Sequence, residues 1–264
     1  MQNKLFEKYY IHFIRSIFLL GLIFFATSCF KDSEVDERLE SIKAAKRSPG
    51  VSANEILSSS KFQSLELEIQ YMEGYPLSET TITKITDWIT PLINKPLGIT
   101  LKISSIPTVG QDDYSLTEIR EIEDNNRTAY NTGDKLGMYI LVLDGYFDQD
   151  SDTEASLGFA HRNTSIALLG KRLKENSGSF GRPSKSNLET TVLEHELGHL
   201  MGLVNLGSGM VSDHEDGENL KHCDNEDCLM YWEVETRSIF SSVDNGIPTL
   251  DENCLNDLKA NGGK

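Results

Sequence analysis

The feature that most restricts how this chain can fold is a predicted helix over residues 186–201 that carries two histidines four positions apart. Residues at that spacing lie one above the other on the same helical face, so the imidazoles of His195 and His199 can reach a single ion. Glu196 projects beside that ion and can accept a proton from a metal-bound water. The pattern therefore predicts a zinc-binding helix that also carries a general base.

The same segment has the apolar residues that an ordinary amphipathic core helix needs, among them Val192, Leu193 and Leu197. Hydrogen-bonded core histidines are therefore an alternative interpretation of the pattern. Burying two histidines and a glutamate is costly unless something compensates their lost hydration. A metal ion supplies that compensation directly, so the pattern favours a metal site.

Elsewhere the sequence alternates between segments with the two-residue period of a strand and segments with the 3.6-residue period of a helix. An apolar run without polar interruption, 138–143, predicts a strand buried on both faces. Ser115 and Glu118 are spaced as a capping box at a helix start. Because strands alternate with helices, the sequence predicts a mixed α/β sheet. The predicted strands are 65–71, 98–106, 138–143, 157–160 and 164–169, and the predicted helices are 78–93, 115–124 and 186–201.

Together with Gly202, the residues His195, Glu196 and His199 resemble the metzincin clan of metalloproteases. In that clan the helix stops at the glycine and a third zinc ligand follows three residues later, a position that holds Asn205 here. The resemblance implies an α/β (α+β) zincin domain with a mixed five-stranded sheet, a backing helix, the zinc-binding helix and a loop-rich C-terminal subdomain. It also implies an edge strand, expected at 157–160, to which an extended peptide substrate adds.

The segment 222–230, with sequence HCDNEDCLM, is similar to the segment of archaemetzincins that begins with their third histidine. On this resemblance His222 is the third zinc ligand, and Met230 lies in the turn beneath the metal. Residues 205–221 would then be an insertion that loops away before the ligand. His214 and Asp213, both within the insertion, remain alternative third ligands.

Archaemetzincins also hold a second, structural zinc with four cysteines, the last two in a Cys-x-x-Cys pair. This chain has only Cys254 downstream of Cys223 and Cys228, so the resemblance does not extend to that site. We therefore expect no second cysteine-bound zinc. The short spacing between Cys223 and Cys228 instead predicts a disulfide, which an exported compartment would permit.

The N-terminus has a basic start and an apolar run over 17–26, followed by Thr27, Ser28 and Cys29. The run is shorter than the roughly 20 residues that a membrane-spanning helix needs, and the pattern is typical of a secretory signal. Its ending resembles a bacterial lipoprotein signal, and an ordinary signal with a coincidental cysteine is the alternative. The resemblance implies removal of residues 1–28 and a lipid on Cys29.

These signals divide the chain into a lipoprotein signal peptide (1–28), a polar lipid-anchored tether (29–54) and one catalytic domain (55–264). Within the tether, 31–53 is a candidate inhibitory propeptide. The predicted localisation is a bacterial membrane, facing the periplasm or the cell surface. A formal net charge of −16, from 25 basic and 41 acidic residues, argues against nucleic-acid binding.

The predicted function is that of a membrane-anchored zinc endopeptidase, whose substrate is a peptide or protein. In this hypothesis Zn²⁺ is held by His195, His199 and His222, and Glu196 deprotonates the metal-bound water that attacks the peptide bond. Two other classes stay open. The first is a non-proteolytic surface-binding lipoprotein with a protease-like fold, and the second is a zinc hydrolase of a non-peptide substrate.

Overall fold

A computed structural model describes residues 35–151, 155–235 and 246–264. The predicted signal peptide and Cys29 lie outside these described residues. The helices are α1 (35–45), α2 (Ala53–Leu57), α3 (Glu79–Ile89), α4 (Leu116–Asn126), α5 (Gly170–Glu175), α6 (Lys185–Leu200) and α7 (Glu252–Ala260). The strands are β1 (Ser64–Met72), β2 (Ile99–Ile106), β3 (Asp113–Tyr114), β4 (Lys135–Leu143), β5 (Tyr146–Phe147), β6 (Gly158–Arg162) and β7 (Ser165–Leu169).

Five of the strands form one mixed sheet in the order β2-β1-β4-β7-β6. The pairs β1–β2, β1–β4 and β4–β7 are parallel, whereas β6 runs antiparallel to β7 and forms one edge. The short strands β3 and β5 pair separately. The predicted mixed five-stranded sheet is confirmed, and the edge strand predicted at 157–160 is β6, which begins one residue later and extends to Arg162.

Strand β4 lies at the centre of the sheet and is buried on both faces, as its continuous apolar sequence predicts. Met138, Ile140 and Val142 pack into the larger core, on the side that α3 and α6 cover. Tyr139 and Leu141 pack into the smaller core on the opposite side, which α4 covers. The sheet is therefore sandwiched between helices, and α6 lies against a rigid layer.

Local interactions determine where several of the helices begin and end. The Ser115 hydroxyl oxygen accepts from the Glu118 N–H, and the Glu118 carboxylate accepts from the Ser115 N–H, so the predicted capping box is present. The predicted helix 78–93 ends earlier, at Ile89, because Pro91 has no N–H to donate to the helix. The short helices α2 and α5 were not predicted, since each spans too few residues to show a period.

The described part of the predicted tether lies against the domain. The Ser52 N–H donates to Asn163 Oδ1 at 2.8 Å, and the Asn163 side-chain amide donates to the Ala44 carbonyl. Asn163 occupies the turn between β6 and β7, so this N-terminal segment fastens onto the hairpin that forms the sheet edge. Ala45, Ser52 and Ala53 are buried.

None of the helices in the described ranges has the length and apolar character that crossing a bilayer requires.

Candidate metal centre

Helix α6 carries the central residues of the site, and both of its ends are defined locally. Ser184 accepts a hydrogen bond from the Asn187 N–H at the start. At the end, the Gly202 N–H donates to the His199 carbonyl and the Leu203 N–H donates to the Gly198 carbonyl. This is a Schellman motif, and its left-handed residue is Gly202, with φ of 80°.

Gly202 is required for a second reason besides its left-handed backbone. A Cβ atom at this position would lie 2.5 Å from the Ser208 backbone nitrogen and 2.6 Å from the Ala53 Cβ. The helix therefore ends where only glycine fits, and the chain leaves α6 immediately after the second histidine. The predicted helix stop at this glycine is confirmed.

His195, His199 and His222 converge at one point. One ring nitrogen from each lies within 4.8 Å of the others, and the ring centroids are separated by 4.7 Å (His195–His199), 5.4 Å (His195–His222) and 5.2 Å (His199–His222). His195 and His199 are buried, whereas His222 is partly exposed. Three imidazoles with an open side are the donor set of a catalytic zinc site.

The orientation of His195 is fixed by a hydrogen bond from the other side of its ring. Its Nδ1 lies 2.7 Å from the Leu229 carbonyl oxygen, which can only accept, so Nδ1 carries the proton. The Nε2 lone pair is then directed away from this bond and is available to a metal. Such a partner behind a metal-binding histidine selects the tautomer and raises the basicity of the ligand.

The loop that supplies His222 also supplies the support beneath the helix. The Cys223 N–H donates to the Met230 carbonyl at 2.8 Å, which closes the loop directly after His222. Met230 is fully buried, and its sulfur packs against Gly198, where any Cβ atom would collide with it. The methionine predicted beneath the metal therefore lies under the turn of α6 that separates the two helix histidines.

Glu196 is fully buried and points toward the edge strand. Its Oε2 accepts a hydrogen bond from the Ala160 N–H of β6 at 2.7 Å. The carboxylate thus lies between the helix histidines and the free edge of the sheet. On a different face of the same helix, burial raises the pKa of Glu194 to about 8, although the positive charge of Lys84 acts against this increase.

The other residues considered as third ligands lie elsewhere. Asn205 is exposed and donates to Glu215 at 3.2 Å. Asp213 is exposed as well. His214 is buried, but it belongs to a second group of metal-ligating side chains, with Cys223, Asp251 and Cys254. Of the candidates considered, the structure therefore brings only His222 to the two helix histidines.

The predicted disulfide between Cys223 and Cys228 is wrong. Cys223, Cys228 and Cys254 are all buried and none of them forms a disulfide. The Cys228 sulfur lies 3.7 Å from the Cys254 sulfur, well beyond the roughly 2.05 Å of an S–S bond. Sequence spacing suggested the bridge, but the fold directs the thiols toward α7, which the sequence alone did not place beside this loop.

Hydrogen bonds polarise this second group. The thiols of Cys223 and Cys254 donate to the Cys228 sulfur and lower the pKa of Cys228 to about 4. The contacts of Cys254 with Cys223 and Cys228, together with burial, raise the pKa of Cys254. Burial alone would lower the pKa of His214, but its bonds with Asp257 and Cys223 raise that pKa above its ordinary value. The sequence did not predict that His214 lies between Cys223 and Asp257, because no spacing links these residues.

No protein-family model matches the sequence, and no curated protein matches it either. Among solved structures, the archaemetzincin of Methanopyrus kandleri superposes on the chain with a TM-score of 0.50 at 14% sequence identity. The match covers 76% of this chain and 96% of that chain. The fold is archaemetzincin-like.

Two more solved structures superpose less well. A zinc-dependent peptidase of Methanocorpusculum labreanum has a TM-score of 0.46 at 17% identity, over 73% of this chain and 99% of that chain. Metalloproteinase-II of Bacteroides fragilis has a TM-score of 0.38 at 19% identity, over 76% of this chain and 54% of that chain.

Proposed function

We propose that this chain is a zinc-dependent endopeptidase that acts on peptides or proteins. The observation that carries the proposal is the convergence of His195, His199 and His222, with Glu196 on the same helix and bonded to the sheet edge. Three neutral imidazoles suit Zn²⁺ and leave one coordination position open. Bound there, Zn²⁺ supplies a Lewis acid that polarises a carbonyl and lowers the pKa of a water molecule to about 7.

The residues around the site have separate tasks in this proposal. The imidazole Nε2 of His195 is presented by the bond from its Nδ1 to the Leu229 carbonyl. Glu196 accepts the proton of the attacking water at a carboxylate oxygen and returns it to the departing amine. Its hydrogen bond with the Ala160 N–H fixes the carboxylate at the sheet edge, where a bound peptide would pass.

Strand β6 is the part of the chain that suits an extended peptide. It pairs with β7 on one side only, so its other side offers backbone groups to a further strand. Such strand addition recognises main chain and is indifferent to most side chains. This favours a peptide substrate over a small ester or amide, which could not use an edge of this length.

The proposal includes export and anchoring by a lipid on Cys29, after removal of residues 1–28. Its support is the sequence pattern alone: a basic start, a short apolar run and small residues before the cysteine. Cys29→Ala should then move the protein from the membrane fraction to the soluble fraction of its cell. Unchanged fractionation would contradict the anchor and leave the peptidase proposal standing.

Glu196→Gln tests the catalytic proposal, because it keeps the size of the side chain and removes its basicity. We expect hydrolysis of casein and of a peptide library to fall by about 10²–10⁴-fold, with the metal content unchanged. Glu194→Gln is the matched control, since it makes the same change on the same helix at a residue that faces Lys84 of α3. That variant should retain full activity.

The outcomes separate the three functional classes. Undiminished hydrolysis by Glu196→Gln would refute the role of this carboxylate. Wild-type protein that binds zinc but cleaves esters or simple amides and no peptide would indicate a non-peptide hydrolase. Wild-type protein that cleaves none of the three would indicate a binding protein with a protease-like fold.

A further inference from the structure

The strand order of the main sheet reverses between β1 and β4. From β1 the chain runs through α3 to β2 on one side, whereas from β4 it continues to β6 and β7 on the other side. Because β1 and β4 are parallel, their carboxyl ends lie at the same edge of the sheet. In open α/β sheets a crevice forms outside the carboxyl ends of two such strands, and ligands bind in it. The topology therefore points to this crevice as a binding site.

A cavity of about 200 Å³ lies at this point of the sheet. Its lining comes from the segment 74–76 that follows β1, from Val142 near the end of β4, from Gly170 directly after β7, and from helices α5 and α6. A volume of this size corresponds to roughly seven water molecules. It has room for a small organic molecule.

Close backbone packing fixes the floor of the cavity. A Cβ atom at Gly170 would lie 2.7 Å from Val142 Cγ1, 2.8 Å from the Leu143 carbonyl oxygen and 3.1 Å from Tyr75 Cβ. Tyr75 is held in a turn, since its N–H donates to the Met72 carbonyl at 3.0 Å. The strand ends therefore meet with no space for a side chain at Gly170, and the cavity above them has a defined shape.

Glu189 of α6 is buried in the wall of the cavity, and its charge is compensated within the fold. One carboxylate oxygen accepts from the Ser78 N–H at 3.0 Å and from the Thr81 hydroxyl at 2.8 Å, at the start of α3. The other oxygen lies 3.3 Å from Lys185 Nζ, which also donates to the Pro76 carbonyl at 2.8 Å. Glu189 and Lys185 together therefore add no net charge to the cavity.

Lys174 of α5 supplies the charge that remains. Within the described ranges this exposed lysine forms no ion pair, and its Nζ lies 5.4 Å from the centroid of the Tyr75 ring. The lining thus carries one uncompensated positive charge, on a chain whose formal net charge is −16. Such a site attracts an anion, which the remainder of an acidic surface repels.

The uncharged part of the lining is largely apolar. It includes the partly buried ring of Tyr75, together with Pro76 and Val142. Small-molecule sites typically combine an apolar wall with a few polar groups that fix the orientation of the ligand. An inorganic anion would leave this wall without a contact, whereas an organic anion can use the wall and the lysine together.

We propose that the crevice between Tyr75, Gly170 and Lys174 binds a small organic carboxylate with an apolar body. In this arrangement Lys174 Nζ pairs with the carboxylate and the Tyr75 ring contacts the apolar body. The site is distinct from the metal centre: Glu189 in its wall precedes His195 by six residues, roughly 9 Å along the helix axis. No residue of β6 belongs to the lining. The proposal does not depend on peptidase activity.

Calorimetric titration of the purified full chain with phenylacetate tests the proposal. We expect one saturable site per chain, with an affinity that falls as the salt concentration rises. Phenylacetamide has nearly the same shape without the charge, and it should bind at least about 10-fold more weakly, since bonds between charged groups are the stronger ones. Inorganic phosphate should also bind at least about 10-fold more weakly, because it has no apolar body.

The titrations with these compounds can overturn the proposal directly. Absence of saturable binding by both phenylacetate and benzoate would do so. Equal affinities for phenylacetate and phenylacetamide would exclude recognition of the charge. Equal affinities for phenylacetate and phosphate would exclude the apolar contact.

Variants locate the binding in the crevice. Lys174→Met removes the charge and should weaken phenylacetate binding at least about 10-fold, whereas Lys174→Arg should retain it. Lys259→Met is the matched control, because it makes the same change at another exposed lysine in the last turn of a helix. Tyr75→Ala should weaken binding as well. Full affinity in both Lys174→Met and Tyr75→Ala would show that the ligand binds elsewhere.

A carboxylate also binds Zn²⁺, so the metal centre needs a control of its own. The phenylacetate titration is repeated on His199→Ala, and on the wild type in the presence of a chelator. Binding should be unchanged in both. Binding lost in both and retained by Lys174→Met would assign the carboxylate to the metal centre and overturn the proposal. Failure of the peptidase assay has no bearing on these titrations, so the two proposals fail independently.

Discussion

The two groups of metal-ligating residues differ in how the chain assembles them. In the first, His195 and His199 share one turn of α6, and only His222 arrives from a distance. In the second, the residues come from three separate segments: His214 from the loop over 205–221, Cys223 and Cys228 from the loop that follows it, and Cys254 from α7. A helix brings residues together by its own period, whereas a loop needs tertiary contacts to do so.

This difference implies different consequences of mutation. Substitution of a residue in the helix-borne group should lower catalytic activity directly, because α6 is held in place by its packing against the sheet. Substitution of a residue in the loop-borne group should displace the loop and lower activity only by displacing His222.

The largest expected effect compares His222→Ala with His214→Ala. His222→Ala should lower kcat/KM by about 10³-fold, corresponding to several kcal/mol of lost transition-state stabilisation. His214→Ala should lower it far less, because it touches no group of the first centre. Peptide-hydrolysis kinetics measure both. The reverse pattern of activities would show that His214 is the third ligand.

The next effect concerns the boundary between helix and loop. Gly202→Ala should lower the free energy of unfolding by about 2–5 kcal/mol, since it adds left-handed strain to a collision with Ser208 and Ala53. Gly178 is the matched control, with φ of 73° and open space around a Cβ atom. Gly178→Ala should cost only about 1–2 kcal/mol. Urea titration of both variants measures the difference, and equal losses would contradict the steric argument.

The smallest effect uses His161, a buried histidine outside both groups. Within the part of the chain that the structure describes, its ring nitrogens have no hydrogen-bond partner, and Nε2 lies 3.6 Å from Glu123 Oε2. Burial lowers the pKa of His161 to about 4; Glu123 acts against this, and Arg162, Arg120 and Arg127 act with it. The folded state therefore keeps His161 neutral at pH values where the unfolded chain binds a proton.

Neutral His161 makes its full contribution to the free energy of unfolding above about pH 6.5, and this contribution is lost as the pH falls toward about 4. Relative to His161→Gln, which does not titrate, the wild type should lose about 2–3 kcal/mol of unfolding free energy over that window. Urea titrations at several pH values measure this. A constant difference between the two proteins would show that His161 titrates normally despite its burial.

His161 also shows why a buried histidine is not by itself evidence of a ligand. It is buried, as His195 is, but the charged groups that act on it are a carboxylate and three arginines. His214 differs because a buried carboxylate holds one nitrogen and a cysteine sulfur faces the other. Metal sites are distinguished by convergence of donors, and convergence is a property of the fold.

The predictions from sequence succeeded where the signal was local. The capping box at Ser115, the helix stop at Gly202 and the doubly buried strand β4 each depend on residues only a few positions apart in the sequence. His222 was predicted as a third ligand only through the resemblance of segment 222–230, and the structure places it beside the two helix histidines. Spacing failed at the cysteines: Cys223 and Cys228 are close in sequence, yet their sulfurs turn toward α7.

The sequence by itself determined the alternation of strands and helices and the pairing of two imidazoles with Glu196 on one helix. These follow from periods of two and 3.6 residues, which need no knowledge of distant contacts. Only the tertiary structure decided which histidine joins that pair, that Ala160 meets Glu196, and that His214 lies beside Cys223 and Cys254. Such meetings depend on how loops close across the core, and loop closure is set by packing between segments remote in sequence.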